Sequence, residues 1–91
     1  MITYIYKIHS KEGNCCYIGK TTRKGGKKRY FDHQYDYRNR EKRFYCSSFE
    51  VLKYHDNQFE ILAEFDTNRQ DASKIEKHYI NNTPNSINIR R

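Results

Sequence analysis

Two short stretches rich in isoleucine and tyrosine, ITYIYKIH at residues 2–9 and CCYIG at 15–19, are separated only by SKEGN. β-Branched and aromatic side chains favour the pleated backbone, and Gly13-Asn14 is turn material. The pair predicts an antiparallel hairpin. If its pairing centres between Lys11 and Glu12, Tyr6 faces Tyr17, Ile5 faces Ile18 and Tyr4 faces Gly19. Both tyrosines then share one face, and a slip of one residue would separate them.

The hairpin leads into a basic loop, KTTRKGGKK, broken by Gly25-Gly26. From about Lys27 to Arg40 the pattern turns helical, with Phe31 and Tyr35 four apart and Arg29 and His33 as a second such pair. Residues 41–46 read as a polar connection. Ser47-x-x-Glu50 has the spacing of a capping box and predicts a short helix to about Tyr54. QFEILAEF at 58–65 alternates and predicts a third strand with Phe59, Ile61, Ala63 and Phe65 on one face. Thr67-x-x-Gln70 predicts a second capped helix to about Asn81, with Pro84 beyond its end. The tail NSINIRR reads as short and partly extended. The expected fold is α+β: a small three-stranded, mainly antiparallel sheet flanked by about three helices, with residues 1–91 as a single domain.

A chain of 91 residues buries only about two thirds of the surface its unfolded form exposes, so its core must be compact. The first ten residues alternate apolar and polar, unlike a signal peptide or a membrane helix, and no other stretch is apolar enough to span a bilayer. A soluble intracellular protein, cytoplasmic or nuclear, is expected. Three cysteines, Cys15, Cys16 and Cys46, form no C-x-x-C pair and no zinc-ligand spacing, so reduced thiols are expected. The charge is concentrated. Residues 20–43 hold ten basic and three acidic residues, a net of +7, and the rest of the chain is balanced at eight each. Such a segment suits a polyanion, and no amphipathic apolar face accompanies it to favour a membrane.

Some single residues stand out. With Ile75 at 0° and about 100° per residue, Tyr79 falls near 40°, Ala72 near 60° and Ile80 near 140°. Glu76 falls near 100°, inside this apolar stripe, while Lys74, Lys77 and His78 lie outside it. A carboxylate there must be paired or bind a cation. An ion pair with an arginine and a metal-ligand or acid-base role both explain it. Arg29 and His33, one turn apart, can present a guanidinium and an imidazole to one phosphate, although an exposed polar helix face gives the same spacing. A phenol at Tyr6 or Tyr17 can orient or activate water if a neighbour helps it. NCCYIGKT at 14–21 ends like a phosphate-binding loop, but Asn14 replaces the first glycine and bulky residues fill the loop, which argues against nucleotide binding.

Taken together these residues resemble the GIY-YIG nuclease family. Its first element stands here as Tyr4-Ile5-Tyr6 and its second as Tyr17-Ile18-Gly19, ten residues apart. Lys20-Thr21 follow, then Arg29 and His33, then Glu76 ahead of Tyr79-Ile80, and an Asn in a terminal segment, matched by Asn88-Ile89. The first glycine of the signature is Tyr4 here, which predicts a packing change rather than lost activity. Asn85 is an alternative to Asn88.

The resemblance implies a metal-dependent endonuclease that hydrolyses DNA phosphodiester bonds and leaves a 5′ phosphate. It implies one Mg²⁺ or Mn²⁺ held by Glu76. Tyr6 would help deprotonate the attacking water with His33 as relay, Tyr17 would bond the phosphate or a water, and Arg29 would stabilise transition-state charge. Lys20, and with it Arg23, Lys27 and Lys28 of the basic loop, would contact the DNA backbone, and Asn88 would support the site. The rival is a basic nucleic-acid-binding module without catalysis, and a protein-interaction domain is the least economical reading. Charge alone serves RNA as well as DNA. No added DNA-reading element is evident, so a partner or a missing domain would supply specificity.

Overall fold

The computed structural model describes residues 1–42 and 46–87. The chain runs through β1 (Ile2–Ser10), β2 (Cys15–Thr21), α1 (Lys27–Arg38), a 3₁₀ turn (Arg40–Lys42), α2 (Phe49–Leu52), β3 (Gln58–Asp66) and α3 (Arg69–Asn82). The sheet has the order β2-β1-β3, and both pairings are antiparallel. This is the expected α+β architecture. β1 is the central strand, which is why it carries apolar residues on both faces: Ile5, Tyr6 and Ile8 are all buried.

The hairpin register differs from the expected one. Tyr6 pairs with Gly19 and Ile8 with Tyr17, so β2 is displaced by two residues. The cause is the turn. Lys11–Asn14 forms a four-residue loop, with Asn14 at φ 49° and its N–H bonded to the Lys11 carbonyl at 3.2 Å. A two-residue slip preserves facing, so Tyr6 and Tyr17 still share a face although they are not opposite one another. Asp56 clamps the turn by accepting from the Ser10 hydroxyl and the Glu12 N–H.

One face of the sheet carries the main core. Tyr6 and Ile8 pack there against Phe49, Val51 and Leu52 of α2, with Tyr17, Tyr30, Tyr37 and Phe59 around them. α1 faces this core through Tyr30, His33 and Tyr37, spaced three and four apart. Tyr30 stacks on Phe59 at 5.2 Å, and Tyr37 meets Phe49 edge-on at 5.5 Å. Phe31 and Tyr35, the pair that marked the helix in the sequence, instead point outward at 54% and 48% exposure. The opposite face buries Ile5, Cys16 and Ile18, and α3 packs against β2 with Ala72 buried.

Three further expectations need correction. β3 does not keep Phe59, Ile61, Ala63 and Phe65 on one face. A bulge opposite Ile5/Tyr6 pairs Tyr6 with Ile61 but Ile5 with Ala63, so the extra residue, Leu62, reverses the alternation. The helix caps are each displaced by one residue. α2 begins after Ser48, whose side chain makes no capping bond, and ends at Leu52. α3 is capped by Asn68, whose side chain accepts the Asp71 N–H at 2.8 Å, in place of Thr67 and Gln70. After Thr83 the tail returns along β2. The Cys16 N–H bonds the Asn85 carbonyl at 3.1 Å and the Ile87 N–H bonds the Cys16 carbonyl at 2.8 Å. All three cysteines are free. Among the described residues no helix is long and apolar enough to cross a membrane.

Candidate active site

Gly19 decides where Tyr6 lies. A Cβ at position 19 would overlap the Tyr6 ring and its hydroxyl, so only glycine lets the phenol lie flat across β2. The ring is 1% exposed, and its hydroxyl sits 2.7 Å from Nε2 of His33, itself 1% exposed. Tyr17 closes the group, its ring 6.4 Å from Tyr6 and edge-on to His33 at 5.4 Å. Nδ1 of His33 is 2.9 Å from the Ser48 hydroxyl, which in turn is 3.2 Å from Sγ of Cys46. An unbroken chain therefore runs Tyr6–His33–Ser48–Cys46, buried as far as Ser48 and part-buried at Cys46.

Arg29 enters from one turn earlier on α1. Its guanidinium lies near enough to the Tyr6 hydroxyl to act on it electrostatically. Burial raises the Tyr6 pKa well above the usual phenol value. The Tyr17 phenol and the Glu76 carboxylate add to the rise, and Arg29 opposes it. His33 is pushed the other way, from 6.5 down to about 4, by burial and then by Arg29, against Asp36 and Asp32. At neutral pH both groups are uncharged, as buried titratable groups without a counter-ion should be.

The second half of the site comes from the opposite face of β2. Lys20, next to Gly19, projects from that face and holds Oε1 of Glu76 at 3.5 Å. Glu76 is partly buried, with 23% of its side chain exposed, on the same stripe of α3 as Ala72, Ile75, Tyr79 and Ile80. Among the described residues its partner is thus a lysine on the neighbouring strand and not an arginine. Beside it opens a cavity of about 830 Å³ lined by Thr3, Lys20, Thr21, Arg29, Asp66 and Ala72, among others. Arg29 joins the two halves, because it acts on the Tyr6 hydroxyl and also lines this cavity. The loop that delivers it turns through Gly25 and Gly26, at φ 74° and 70°, before α1 starts.

Of the five sequence-selected residues, Tyr6, Tyr17 and His33 are in direct contact, Arg29 acts electrostatically on Tyr6 and His33, and Glu76 acts electrostatically on Tyr6. Lys20 belongs to the same group. Lys27 and Lys28 are exposed at the start of α1. Arg23 is exposed too, but ion-paired with Asp32. Asn88 lies outside the described residues. Asn85 bonds Asn14 at 3.2 Å beside the hairpin turn, at the far end of β2 from Lys20. Ser48 was not singled out in the sequence. A serine that bonds a histidine fifteen residues earlier leaves no periodic signal, and it stands one position from the Ser47 that looked like a cap.

The order of these residues along the chain matches a known domain. A family model described as the GIY-YIG catalytic domain matches residues 2–88. The chain belongs to the GIY-YIG family. GIY-YIG is a family of nuclease domains. No curated protein and no solved structure matches the chain. Among the described residues no group of three or more His, Cys, Asp or Glu side chains could enclose a metal ion. Beside Lys20 the hard donor on offer is the carboxylate of Glu76, since Asp66, which lines the cavity, is ion-paired with the N-terminal amine. A lone hard oxygen ligand suits a cation that keeps most of its waters and takes phosphate oxygens, as Mg²⁺ does.

Proposed function

We propose that the chain is a metal-dependent endonuclease that hydrolyses DNA phosphodiester bonds and leaves a 5′ phosphate, with residues 1–91 acting as one nuclease domain. The observation that carries this reading is the buried Tyr6 hydroxyl, bonded at 2.7 Å to a neutral His33 and set in the field of the Arg29 guanidinium. A phenol that only filled the core would have no need of a base on one side and a guanidinium on the other. The scissile phosphate would lie over Arg29 and Lys20, at the mouth of the cavity.

In this mechanism a water attacks phosphorus in line with the departing 3′ oxygen. Its proton passes to the Tyr6 oxygen as the Tyr6 proton passes to Nε2 of His33. The two transfers are concerted, because a free phenolate in this site is strongly disfavoured. Negative charge building on the phosphate favours the imidazolium at that moment. Arg29 donates to the same developing charge, and Tyr17 orients the phosphate or the water. Glu76 would hold one Mg²⁺ or Mn²⁺, which when bound supplies Lewis-acid stabilisation of the leaving oxygen. Lys20 would move from Glu76 to a phosphate, and Lys27, Lys28 and Arg23 would track the backbone with the basic loop. Asn88 would add a hydrogen bond from the tail. Sequence selectivity would come from a partner or a further domain.

The test is nicking of supercoiled plasmid with Mg²⁺ or Mn²⁺. Wild-type protein is expected to nick, and Glu76→Gln and Arg29→Ala to lose this with unchanged circular dichroism. DNA left whole by the wild type from pH 7 to 9 would overturn the reading. Salt-sensitive binding that survives in Glu76→Gln and ignores chelators would favour a binding module.

A further inference from the structure

Ser48 is fully buried at the start of α2, and its hydroxyl lies between two side chains that no catalytic step above uses it to reach. Nδ1 of His33 is at 2.9 Å and Sγ of Cys46 at 3.2 Å. We infer that Ser48 is a positioning residue of the hydrolytic site: its hydroxyl accepts the Nδ1–H of His33 and so keeps Nε2 bare to receive the Tyr6 proton. The role in turnover rests on the nuclease reading; the tautomer itself does not.

The argument turns on proton counting. A neutral imidazole has one N–H and one bare nitrogen, and both nitrogens of His33 face a hydroxyl, Tyr6 at 2.7 Å and Ser48 at 2.9 Å. One hydroxyl must donate to the ring and the other must accept from it. Tyr6 is the better donor, since a phenol is far more acidic than an alkanol. Arg29 beside it favours loss of the phenol proton and so makes Tyr6 a still better donor. The Tyr6 proton therefore points at Nε2, and Nδ1 carries the ring hydrogen. Ser48 must then accept, which leaves its own hydrogen to be donated, and Cys46 Sγ stands where it can accept. The opposite tautomer would make the weaker acid, the Ser48 hydroxyl, the donor to the ring and leave the phenol hydrogen without its partner. When the Tyr6 proton moves to Nε2, the ring becomes an imidazolium whose Nδ1–H is already in place on Ser48. No bond has to reorient, and no proton crosses between Ser48 and Cys46.

Histidine ¹⁵N NMR of the full chain reads the tautomer directly, with His33 assigned by its loss in His33→Gln. The wild type is expected to show a protonated Nδ1 and a bare Nε2. Ser48→Ala removes one buried atom and should shift the ring towards the Nε2–H form. It should also slow single-turnover nicking by about tenfold to a hundredfold with DNA affinity unchanged. Ser48→Thr, which keeps the hydroxyl, should restore both. A wild-type ring protonated on Nε2 would overturn the inference, and so would Ser48→Ala with the wild-type tautomer. The wild-type spectrum decides the assignment even if Ser48→Ala does not fold. A correct tautomer in a protein that never nicks would support the assignment while sinking the nuclease reading.

Discussion

Removing one oxygen from the core should separate stability from chemistry. Tyr6→Phe keeps the ring that packs across Gly19 and against Phe59 and deletes only the hydroxyl bonded to His33. Nε2 of His33 is then buried with no partner in the core, a loss that ordinarily costs about 1–3 kcal/mol. The phenyl ring is easier to bury than a phenol, which offsets part of this, so a net cost of about 1–2 kcal/mol is expected. At this size that lowers Tm by roughly 4–16 °C. Total stability for a chain this long is roughly 5–14 kcal/mol, so the variant stays folded at 25 °C. Loss of a positioned base, by contrast, should slow the chemical step about 10²–10⁴-fold. The assays are a thermal melt followed by circular dichroism and single-turnover nicking at 25 °C, with DNA affinity measured alongside. A folded Tyr6→Phe protein that nicks within threefold of wild type would refute the role given to the phenol.

Gly19→Ala should destabilise by about 1–3 kcal/mol, because the new methyl overlaps the Tyr6 ring, and should slow nicking by displacing the phenol from His33; urea midpoints and nicking rates check both. His33 makes stability depend on pH. Its pKa is depressed in the fold, so its contribution is full above about 6.5 and is lost as pH falls through about 4, up to about 3 kcal/mol in all. Urea melts between pH 7 and 4 should show this slope, and His33→Gln should flatten it. Lys20→Gln frees Glu76 from its ion pair and should tighten Mn²⁺ binding without DNA by up to about fivefold, read by calorimetry, while weakening DNA binding. In salt titrations of DNA affinity, Lys28→Ala should reduce the log–log slope by about 1, and Arg23→Ala by less, since Asp32 already neutralises Arg23.

The sequence announces the hairpin, the three helices and the third strand, because each rests on local chemistry: β-branched runs, glycines in the loop, and an apolar stripe on α3. That stripe is the clearest case. Ala72, Ile75, Glu76, Tyr79 and Ile80 are shielded, while Lys74, Lys77 and His78 are exposed. What could not be read were features fixed by contacts between elements. The register depended on whether the turn used two residues or four. The bulge at Leu62 exists because two stretches of β3 satisfy different faces of β1. On α1, Phe31 and Tyr35 marked the helix by their spacing, yet it is Tyr30, His33 and Tyr37 that face the core, because only the sheet shows which aromatic residues have partners. The candidate site residues could be named from the sequence only as a list. That Arg29 would bridge the two faces of β2, that Lys20 would pair with Glu76, and that Ser48 would complete the histidine's hydrogen bonding required the tertiary fold.

Both ends of the Tyr6–His33 hydrogen bond are sealed from solvent. Under the proposed chemistry, a proton left on that ring cannot be collected by a buffer molecule. It must leave through the phenol, back towards the emptied phosphate position, before another strand is cut. Turnover should therefore ignore the identity and concentration of the buffer. In D₂O it should slow as two protons in flight require, and small imidazoles added to His33→Ala should rescue little of the rate.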